Sequence, residues 1–232
     1  MIKIAILGLG TVGTGVVKVV EANTAPIQHK LGQPLSVKTA LVRKLRADPY
    51  QHLMTENFRE IEHDGEIRVV VETIGGTRFA YPYVKACLES GRSVCTSNKE
   101  MVATYGAELL ALAKEHDCAF LFEASVGGGT PIITPMHQCL AANVITEVEG
   151  IVNGTTNFIM DAMHKAPVDF PAILKEAQDL GYAEADPSAD IDGDDIRRKL
   201  TISANIAFDA ALEETAIPTF GIRTVTAADI AA

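Results

Sequence analysis

The run IKIAIL (2–7), followed by GLGTVG (8–13), decides the fold of this chain. Residues 2–7 are short, apolar and rich in β-branched side chains, which predicts a strand buried on both faces in a parallel sheet. The next six residues fit the pattern G-x-G-x-x-G, and valines at helical spacing follow. A glycine loop between a strand and a helix predicts a dinucleotide-binding turn, and this context disfavours the alternative of a plain structural turn.

Each residue of this loop has an expected task. Gly8 permits the tight turn, Gly10 lets the backbone approach a pyrophosphate, and Gly13 allows the helix to pack closely on the strand. Thr11 and Val12 lie where the helix begins, and its free N–H groups and positive dipole favour phosphate. We therefore predict that these five residues bind a dinucleotide cofactor.

Strands and helices alternate over roughly the first 125 residues. After the first strand, further strands are predicted at 37–42, 67–72, 93–96 and 118–122. This alternation implies right-handed crossovers and an α/β fold, with a doubly wound Rossmann domain over residues 1–130.

The pattern changes from residue 131 onward. A helix predicted at 132–142 leads into the segment 145–152 and the polar turn NGTTN (153–157). Further helices are predicted at 158–165, 170–180 and from about 194 to 208. We interpret residues 131–232 as a second domain of the α+β class.

Composition and charge limit the classes of function. The chain has 232 residues, 47% of them hydrophobic, and a formal net charge of −10. This charge disfavours nucleic acids and anionic membranes as partners, although a locally basic pocket can still hold an anionic cofactor. The four cysteines show neither a C-x-x-C pair nor zinc spacing, which indicates a reduced, intracellular protein. We expect no signal peptide, and no apolar run reaches the ~20 residues of a membrane span.

The end of the second strand bears on the choice of cofactor. It lacks the acidic residue that would hold the ribose 2′-hydroxyl of NAD. Arg43 and Lys44 follow instead, and they could pair with the 2′-phosphate of NADP. An ordinary basic surface run explains them nearly as well. We predict NADP as the cofactor, with NAD still possible.

Three polar turns could carry chemistry, although each also has a structural explanation. Ser97 and Lys99 follow a short strand at the carboxyl edge of the sheet, where a lysine could reach cofactor and substrate; a helix-start turn with an exposed lysine is the alternative. The loop EASVGGGT (123–130) offers a carboxylate and open carbonyl groups to a hard cation, or serves as a turn between closely packed domains. Asn153 and Thr155 could cap the next helix or hold a polar substrate.

The acidic stretch GYAEADPSADIDGDDIRRKL (181–200) does not fit a calcium loop. The pattern requires a glycine at position 6 and a glutamate at position 12. If the loop starts at residue 190, the glycine, Gly193, falls at position 4 instead, and position 12 is Thr201. A solvated acidic loop is the simpler interpretation for three of the acids, Asp186, Asp190 and Asp192. Asp195 and Lys199 are four residues apart and share one face of a predicted helix. They form either a surface ion pair or a pair in which the aspartate orients a proton-donating lysine.

Together these segments resemble homoserine dehydrogenase. The matching segments follow the family order through nearly the whole chain: ILGLGTVG (6–13), VVVETIGG (69–76), VCTSNKEMVA (94–103), FEASVGGGTPII (122–133), GIVNGTTNFI (150–159) and LGYAEADPSADIDGDDIRRKLTI (180–202). The resemblance implies a cytoplasmic, NAD(P)-dependent oxidoreductase that interconverts L-aspartate 4-semialdehyde and L-homoserine in threonine, methionine and isoleucine biosynthesis. The second domain would bind this small-molecule substrate and form a homodimer.

The resemblance also implies roles for individual residues. Lys199 resembles the proton donor to the developing alkoxide, and Asp195 beside it would hold substrate. Glu184 resembles the ligand of the substrate amino group, and Lys99 resembles the second active-site lysine. Thr73 resembles a residue of a turn that contacts the cofactor. A structural sodium site is implied at Glu123 and the backbone of Val126, Gly128 and Thr130.

Family members normally continue beyond FGIRTVTAADIAA (220–232), so we expect the chain to be C-terminally incomplete. Two other hypotheses compete with the main one. A related aspartate-semialdehyde dehydrogenase would need a thiolate nucleophile, whereas the cysteines here fall inside predicted helices and strands. An inactive or sensory dinucleotide-binding fragment would leave Asp195, Lys199 and Lys99 without a chemical task.

Overall fold

The computed structural model describes residues 1–166 and 168–231, which divide into two units, Met1–Ile132 and Ile133–Ala232. The first unit is built around a sheet of six strands, all paired in parallel: β1 (Ile2–Leu7), β2 (Leu35–Leu41), β3 (Met54–Thr55), β4 (Ile67–Glu72), β5 (Ser93–Thr96) and β6 (Phe120–Leu121). Its helices are α1 (Thr11–Ala22), α2 (Thr24–Leu31), α3 (Arg59–Glu62), α4 (Ala80–Glu89) and α5 (Lys99–Glu115). The strand order β3-β2-β1-β4-β5-β6 is that of a doubly wound sheet. The predicted α/β fold with an N-terminal Rossmann domain is confirmed.

Strand β1 occupies the middle of this sheet because both of its faces are apolar. Ala5, Ile6 and Leu7 are each 0% exposed. Successive side chains of a strand point to opposite faces, so both faces of the sheet are covered at this point. On one face, Ile6 packs in a cluster with Val17 of α1.

The turn after β1 depends on two glycines. Gly8 has a φ of +99°, in the left-handed region that other residues rarely adopt. A Cβ atom on Gly13 would lie 2.0 Å from the carbonyl oxygen of Gly8 and 2.9 Å from the hydroxyl oxygen of Thr73. Helix α1 therefore approaches the end of β1 at a distance that only glycine allows.

Helices form the second unit around a core of its own. They are α6 (Gly154–Lys165), α7 (Phe170–Asp179), α8 (Ser188–Ile191), α9 (Asp194–Phe208) and α10 (Ala227–Ala231), and a π-helical turn spans Pro135–Cys139. Ile159 and Met163 of α6 are buried together with Ile173 and Ala177 of α7 and Ile191 of α8. The spacing of four residues within each pair shows that α6 and α7 each bury one face.

The described residues of the second unit contain no strand, unlike the α+β domain that the sequence predicts. Residues 144–153, which include the segment 145–152, form neither helix nor strand. A strand requires a hydrogen-bonded neighbour, and no described residue of this unit supplies one. The helix predicted at 132–142 is also shorter, because helical structure is confined to residues 133–139.

The longest described helix, α5, has 17 residues. No helix in the described part of the chain combines the length and the apolar character that crossing a membrane requires.

Replacing Gly13 with alanine is expected to destabilise the protein, because the new Cβ would overlap the Gly8 carbonyl group. We expect the free energy of unfolding to fall by about 1–3 kcal/mol, the usual effect of overpacking. Gly15 is the matched control, since it lies in the same helix and a Cβ there would meet no atom within 4 Å. Gly15→Ala should leave stability unchanged or raise it by up to about 1 kcal/mol. Urea denaturation measures both variants, and equal stabilities would contradict close packing at Gly13.

Candidate functional site

The Thr73 side chain ties the glycine loop to the end of β4. Its hydroxyl group lies 2.8 Å from the carbonyl oxygen of Gly8 and 3.2 Å from that of Leu7, and can donate to either. Its backbone N–H also donates to the Leu7 carbonyl at 2.8 Å. Thr73, predicted as part of a cofactor-contacting turn, thus fixes the position of the loop as well.

The glycine loop leaves room for a phosphate group. Apart from its chain neighbours, no described residue has an atom within 4 Å of where a Cβ on Gly10 would lie, so the backbone there is open to a close approach. Thr11 and Val12 open the 12-residue helix α1, and both are exposed. The first turn of α1 carries no acidic residue. Because an uncovered helix N-terminus attracts anions, the loop fits the pyrophosphate of a dinucleotide.

A basic residue that the sequence did not single out reaches this loop. The Arg46 guanidinium donates to the Leu9 carbonyl oxygen at 2.5 Å and lies 3.6 Å from the Asp48 carboxylate. Arg43 and Lys44, the predicted ligands of a 2′-phosphate, are exposed. The sequence does not distinguish Arg46 from the neighbouring basic residues. Which of them reaches the glycine loop depends on the path of the backbone after β2.

Lys99 begins α5 at the carboxyl end of β5. Asn98 caps this helix, since its side-chain oxygen accepts from the Met101 N–H at 3.1 Å. Lys99 and Ser97 are both partly buried. The turn is therefore a helix start, as the structural alternative assumes, but its lysine is not fully exposed.

The loop after β6 folds back on itself. The Glu123 carboxylate accepts from the Ile132 N–H at 2.6 Å. A Cβ on Gly127 would lie 2.1 Å from the Thr130 carbonyl oxygen, so the loop closes tightly at this glycine. Among the described residues, no three His, Cys, Asp or Glu side chains cluster as metal ligands. A cation in this loop would thus depend on backbone carbonyl groups as well as Glu123, including those of the other predicted ligands, Val126, Gly128 and Thr130.

A nearly buried ion pair lies near the start of α9 in the second unit. The Lys199 ammonium nitrogen is 2.8 Å from the Asp195 carboxylate, and the two side chains are 13% and 6% exposed. Lys199 also donates to the Val152 carbonyl oxygen at 2.6 Å. This burial excludes the plain surface ion pair that spacing alone allowed.

Asn153 joins this pair to the polar turn before α6. Its amide nitrogen donates to Asp195 at 2.9 Å and to Asp190 at 2.7 Å. Its amide oxygen accepts from the N–H and the hydroxyl of Thr156 at 2.8 and 2.9 Å. Both N–H donors and the oxygen of the amide are therefore used inside the protein. Asn153 caps α6 and orients Asp195 at once, and a direct bond to substrate would have to replace one of these bonds.

The other predicted substrate ligands lie outside this network. The Thr155 hydroxyl donates to the Tyr182 carbonyl oxygen at 2.7 Å, which ties α6 to the loop after α7. Glu184 lies on that loop and is exposed, and Gln178 donates to its backbone carbonyl at 3.1 Å. No described residue hydrogen-bonds to the Glu184 carboxylate, which leaves it accessible to a ligand.

The structure corrects the interpretation of Asp190 as a solvated loop acid. Asp192 accepts from Nη2 of Arg223 at 2.9 Å, and hydrogen bonding to this guanidinium lowers the pKa of Asp192. Asp186 accepts from the backbone N–H of Ser188 at 3.1 Å. These two acids belong to the loop surface. Asp190 is predicted with them, but its bond to Asn153 makes it part of the network around Asp195.

Burial argues against thiolate chemistry at three of the four cysteines. It raises the pKa of Cys87 to about 12, and it also raises the pKa of Cys95 and of Cys118. The thiolate is the nucleophilic form, so these thiols are poorly reactive near neutral pH. This disfavours the hypothesis of a dehydrogenase with a cysteine nucleophile.

The sheet order and the open glycine loop define the first unit as a Rossmann-type dinucleotide-binding domain of an α/β protein. Residues 8–123 match the family model for the NAD-binding domain of homoserine dehydrogenase, and residues 131–232 match the model for homoserine dehydrogenase. The chain belongs to the homoserine dehydrogenase family, whose members are NAD(P)-dependent oxidoreductases acting on a CH–OH group. The resemblance seen in the sequence is confirmed.

Relatives of this family align along almost the whole chain. A homoserine dehydrogenase of Bacillus subtilis is 41% identical over 233 residues, which cover 99% of this chain and 54% of the relative. The crystal structure of a homoserine dehydrogenase from Thiobacillus denitrificans gives a TM-score of 0.92 at 42% identity, over 98% of this chain and 54% of that one. The structure of a hyperthermophilic archaeal homoserine dehydrogenase in complex with NADPH gives a TM-score of 0.82 at 27% identity. This match covers 97% of this chain and 75% of the archaeal one. The chain spans about half the length of the curated relatives it matches.

Removing the Asn153 side chain is expected to destabilise the second unit, because two carboxylates lose a donor and α6 loses its cap. The free energy of unfolding of Asn153→Ala should fall by about 2 kcal/mol or more. Asn157 is the matched control, since it lies in the first turn of α6, close to Asn153 in the chain, but is exposed. Asn157→Ala should change stability by less than about 0.5 kcal/mol. Urea denaturation compares the two, and a fully stable Asn153→Ala variant would disprove the network.

Proposed function

We propose that this chain carries the active site of a homoserine dehydrogenase, which interconverts L-homoserine and L-aspartate 4-semialdehyde in threonine, methionine and isoleucine biosynthesis. Membership of the family supports this activity. The structural observation that carries the proposal is the nearly buried pair of Lys199 and Asp195, held by the Val152 carbonyl group and the Asn153 amide.

Lys199 has the geometry of a proton donor to a substrate oxygen. An ammonium group has three N–H donors. Described residues engage two of them, one at Asp195 and one at the Val152 carbonyl oxygen. We propose that the third donates to the reacting oxygen of the substrate and transfers its proton as alkoxide charge develops there. In the oxidation direction Nζ of the same lysine would start as the neutral amine and would become the ammonium group again by receiving the hydroxyl proton of homoserine.

The polar groups of the second unit would bind and orient the substrate. Asp195 fixes the Lys199 ammonium and is proposed to hold substrate as well. The exposed Glu184 carboxylate would bind the substrate ammonium group. Asn153 and Thr155 would contact substrate only by giving up bonds that they make within the protein, so their main proposed contribution is to keep the site in shape.

The first unit would bind the cofactor, which we propose to be NADP, with NAD as a possible substitute. A bound nicotinamide cofactor supplies or accepts the hydride. The open backbone at Gly10 and the N–H groups at the start of α1 would hold the pyrophosphate, and the exposed Arg43 and Lys44 would hold the 2′-phosphate. Near the nicotinamide we place Thr73, which follows β4, and Ser97 and Lys99, which follow β5, and we propose Lys99 as the second lysine of the reaction.

We also propose a structural sodium ion in the loop after β6. The loop closes on itself at Gly127 and contributes the Glu123 carboxylate together with backbone carbonyls of Val126, Gly128 and Thr130, and oxygen atoms are the ligands that hard cations prefer. Titrating the thermal midpoint with sodium chloride against choline chloride tests this assignment, and identical curves would reject it.

The proposed enzyme is a cytoplasmic homodimer. Three apolar side chains of the second unit, Val144, Ile151 and Phe220, are 90%, 82% and 89% exposed, and a partner subunit would cover such side chains. The four free cysteines fit a reducing compartment. Sedimentation of a form as long as the relatives tests the dimer, and a monomer at micromolar concentration would contradict it.

A spectrophotometric assay of homoserine oxidation tests the proposed activity and the role of Lys199. The assay follows NADPH formation from NADP and L-homoserine, with this chain and with a form that reaches the length of its relatives. We expect Lys199→Ala to lower kcat by at least about 100-fold, the usual contribution of a positioned proton donor. Lys199→Arg should not restore kcat, because a guanidinium keeps its charge but does not release its proton.

Lys175→Ala is the matched control for this assay. Lys175 also pairs with an aspartate four residues further along its helix, Asp179, but these side chains are 69% and 63% exposed. Its kcat should equal that of the wild type. A wild-type kcat in Lys199→Ala would refute the proton-donor role, whereas inactivity of the longer form with both NADP and NAD would refute the proposed activity.

Cofactor affinities distinguish the basic residues near the glycine loop. We expect NADPH to bind more tightly than NADH, by roughly tenfold for each charge-assisted hydrogen bond to the 2′-phosphate. Replacing Arg43 and Lys44 with alanine should weaken the binding of NADPH but not that of NADH. Arg46→Ala should weaken the binding of both cofactors by a similar factor, because Arg46 donates to the Leu9 carbonyl oxygen of the loop. Fluorescence titration gives the dissociation constants, and equal values for the wild type would refute the NADP preference.

A further inference from the structure

A buried carboxylate with no part in the proposed reaction lies at the centre of the first unit. Glu72 is the last residue of β4, where it is paired in register with Leu7 of β1 and Thr96 of β5. Its side chain is 0% exposed. Burial of a carboxylate is strongly unfavourable unless hydrogen bonds compensate for the lost water. The bonds of Glu72 therefore indicate what it does.

Three dipoles surround the Glu72 carboxylate. Oε1 accepts from the N–H groups of Ile74 at 2.6 Å and Gly75 at 3.1 Å, in the turn that follows β4. Oε2 accepts from the Thr96 hydroxyl at 2.5 Å, at the end of the neighbouring strand. The Glu72 side chain thus links the turn that follows β4 to the end of β5.

These bonds continue into a closed ring through Asn98. The Thr96 hydroxyl oxygen accepts from the Asn98 N–H at 2.9 Å, and the Asn98 amide nitrogen donates to the Gly76 carbonyl oxygen at 2.6 Å. Gly76 belongs to the same turn as Ile74 and Gly75, so the ring returns to where it began. Thr96 and Asn98 are 1% and 6% exposed, which shields these bonds from water.

We infer that Glu72 is a positioning residue that fixes the turn 73–76 and the start of α5 relative to each other. The turn carries Thr73, whose hydroxyl contacts the Gly8 carbonyl of the glycine loop. Helix α5 begins with Lys99, directly after the ring member Asn98. Glu72 would thereby fix the position of Lys99 relative to the cofactor-binding loop. The inference rests on the proposed cofactor binding and on the proposed place of Lys99.

A carboxylate suits this position better than its amide does. Both carboxylate oxygens only accept hydrogen bonds, and all three neighbouring groups donate. In Glu72→Gln the side-chain NH₂ replaces one oxygen. If it faces Thr96, the threonine hydroxyl must accept that bond in addition to the Asn98 N–H, and its own proton loses its acceptor. If it faces the turn, it opposes two N–H groups. The substitution keeps the volume but breaks the ring.

Affinity for NADPH and turnover in Glu72→Gln test the inference. We expect the dissociation constant for NADPH, measured by fluorescence titration, to rise by roughly tenfold or more, which corresponds to one charge-assisted hydrogen bond. In the form that oxidises homoserine, kcat should fall as well. Thr96→Val removes the hydroxyl at constant shape and should have the same effect, whereas Thr96→Ser keeps the hydroxyl and should recover most of the affinity.

Asp64→Asn separates positioning from general stability. Asp64 precedes the opposite end of β4, is 20% exposed, pairs with Lys38 and accepts from the Glu66 N–H at 2.9 Å. Its variant should lower the thermal midpoint but keep the wild-type dissociation constant and kcat. Wild-type affinity for NADPH in a folded Glu72→Gln variant would overturn the inference. If that variant does not fold, wild-type affinity in Thr96→Val would overturn it.

The titration also separates this inference from the proposed reaction. Cofactor binding is measured without turnover. If the wild type binds NADPH but oxidises no homoserine, while Glu72→Gln and Thr96→Val bind it weakly, the proposed reaction fails and the positioning of the cofactor loop by Glu72 stands. A wild type that binds neither NADPH nor NADH would overturn both.

Discussion

The close contact between Gly13 and the Gly8 carbonyl group is the constraint on which the first unit depends. A Cβ at residue 13 would be 2.0 Å from that oxygen, so α1 can leave the end of β1 in this direction only because the side chain is missing. The Thr73 hydroxyl also donates to the Gly8 carbonyl oxygen, which holds the end of β4 against the same loop. The shape of the loop is thus set mainly by excluded volume, which does not vary with salt or pH as ion pairs do.

Two buried carboxylates, Glu72 and Asp195, are each stabilised in a way that suits the task proposed for it. Glu72 accepts bonds from two backbone N–H groups and a hydroxyl. None of these donors is acidic near neutral pH, so they hold the carboxylate in place and supply no proton. Asp195 faces the Lys199 ammonium, a group that can give up a proton. The same spacing on α7, in Lys175 and Asp179, leaves both partners exposed, where ion pairs contribute little.

Features that depend on residues close together in the chain can be predicted from the sequence, whereas contacts between residues far apart in the chain cannot. The buried run of β1, the bounds of β4 and the helix that contains Asp195 and Lys199 follow from apolar spacing and local pattern. The bond from Asn153 to Asp190 joins residues 37 positions apart, and no local pattern encodes it. Arg46 differs from Arg43 only by the path of the chain after β2. The described residues after position 131 contain no strand, because a strand depends on a distant partner that the local sequence does not reveal.

Charge density is for the same reason a poor guide to function in this chain. Asp186 and Asp192 lie in the most acidic stretch, yet the Asp192 side chain is 42% exposed and both acids bond at the loop surface. Glu72 stands alone at the end of an apolar strand and is completely buried. A carboxylate removed from water must be held by groups whose positions the fold fixes, and it then fixes those groups in return. Burial combined with partners from different elements selects Glu72 and Asp195, and it is this combination that lets a charged side chain set the geometry of a site.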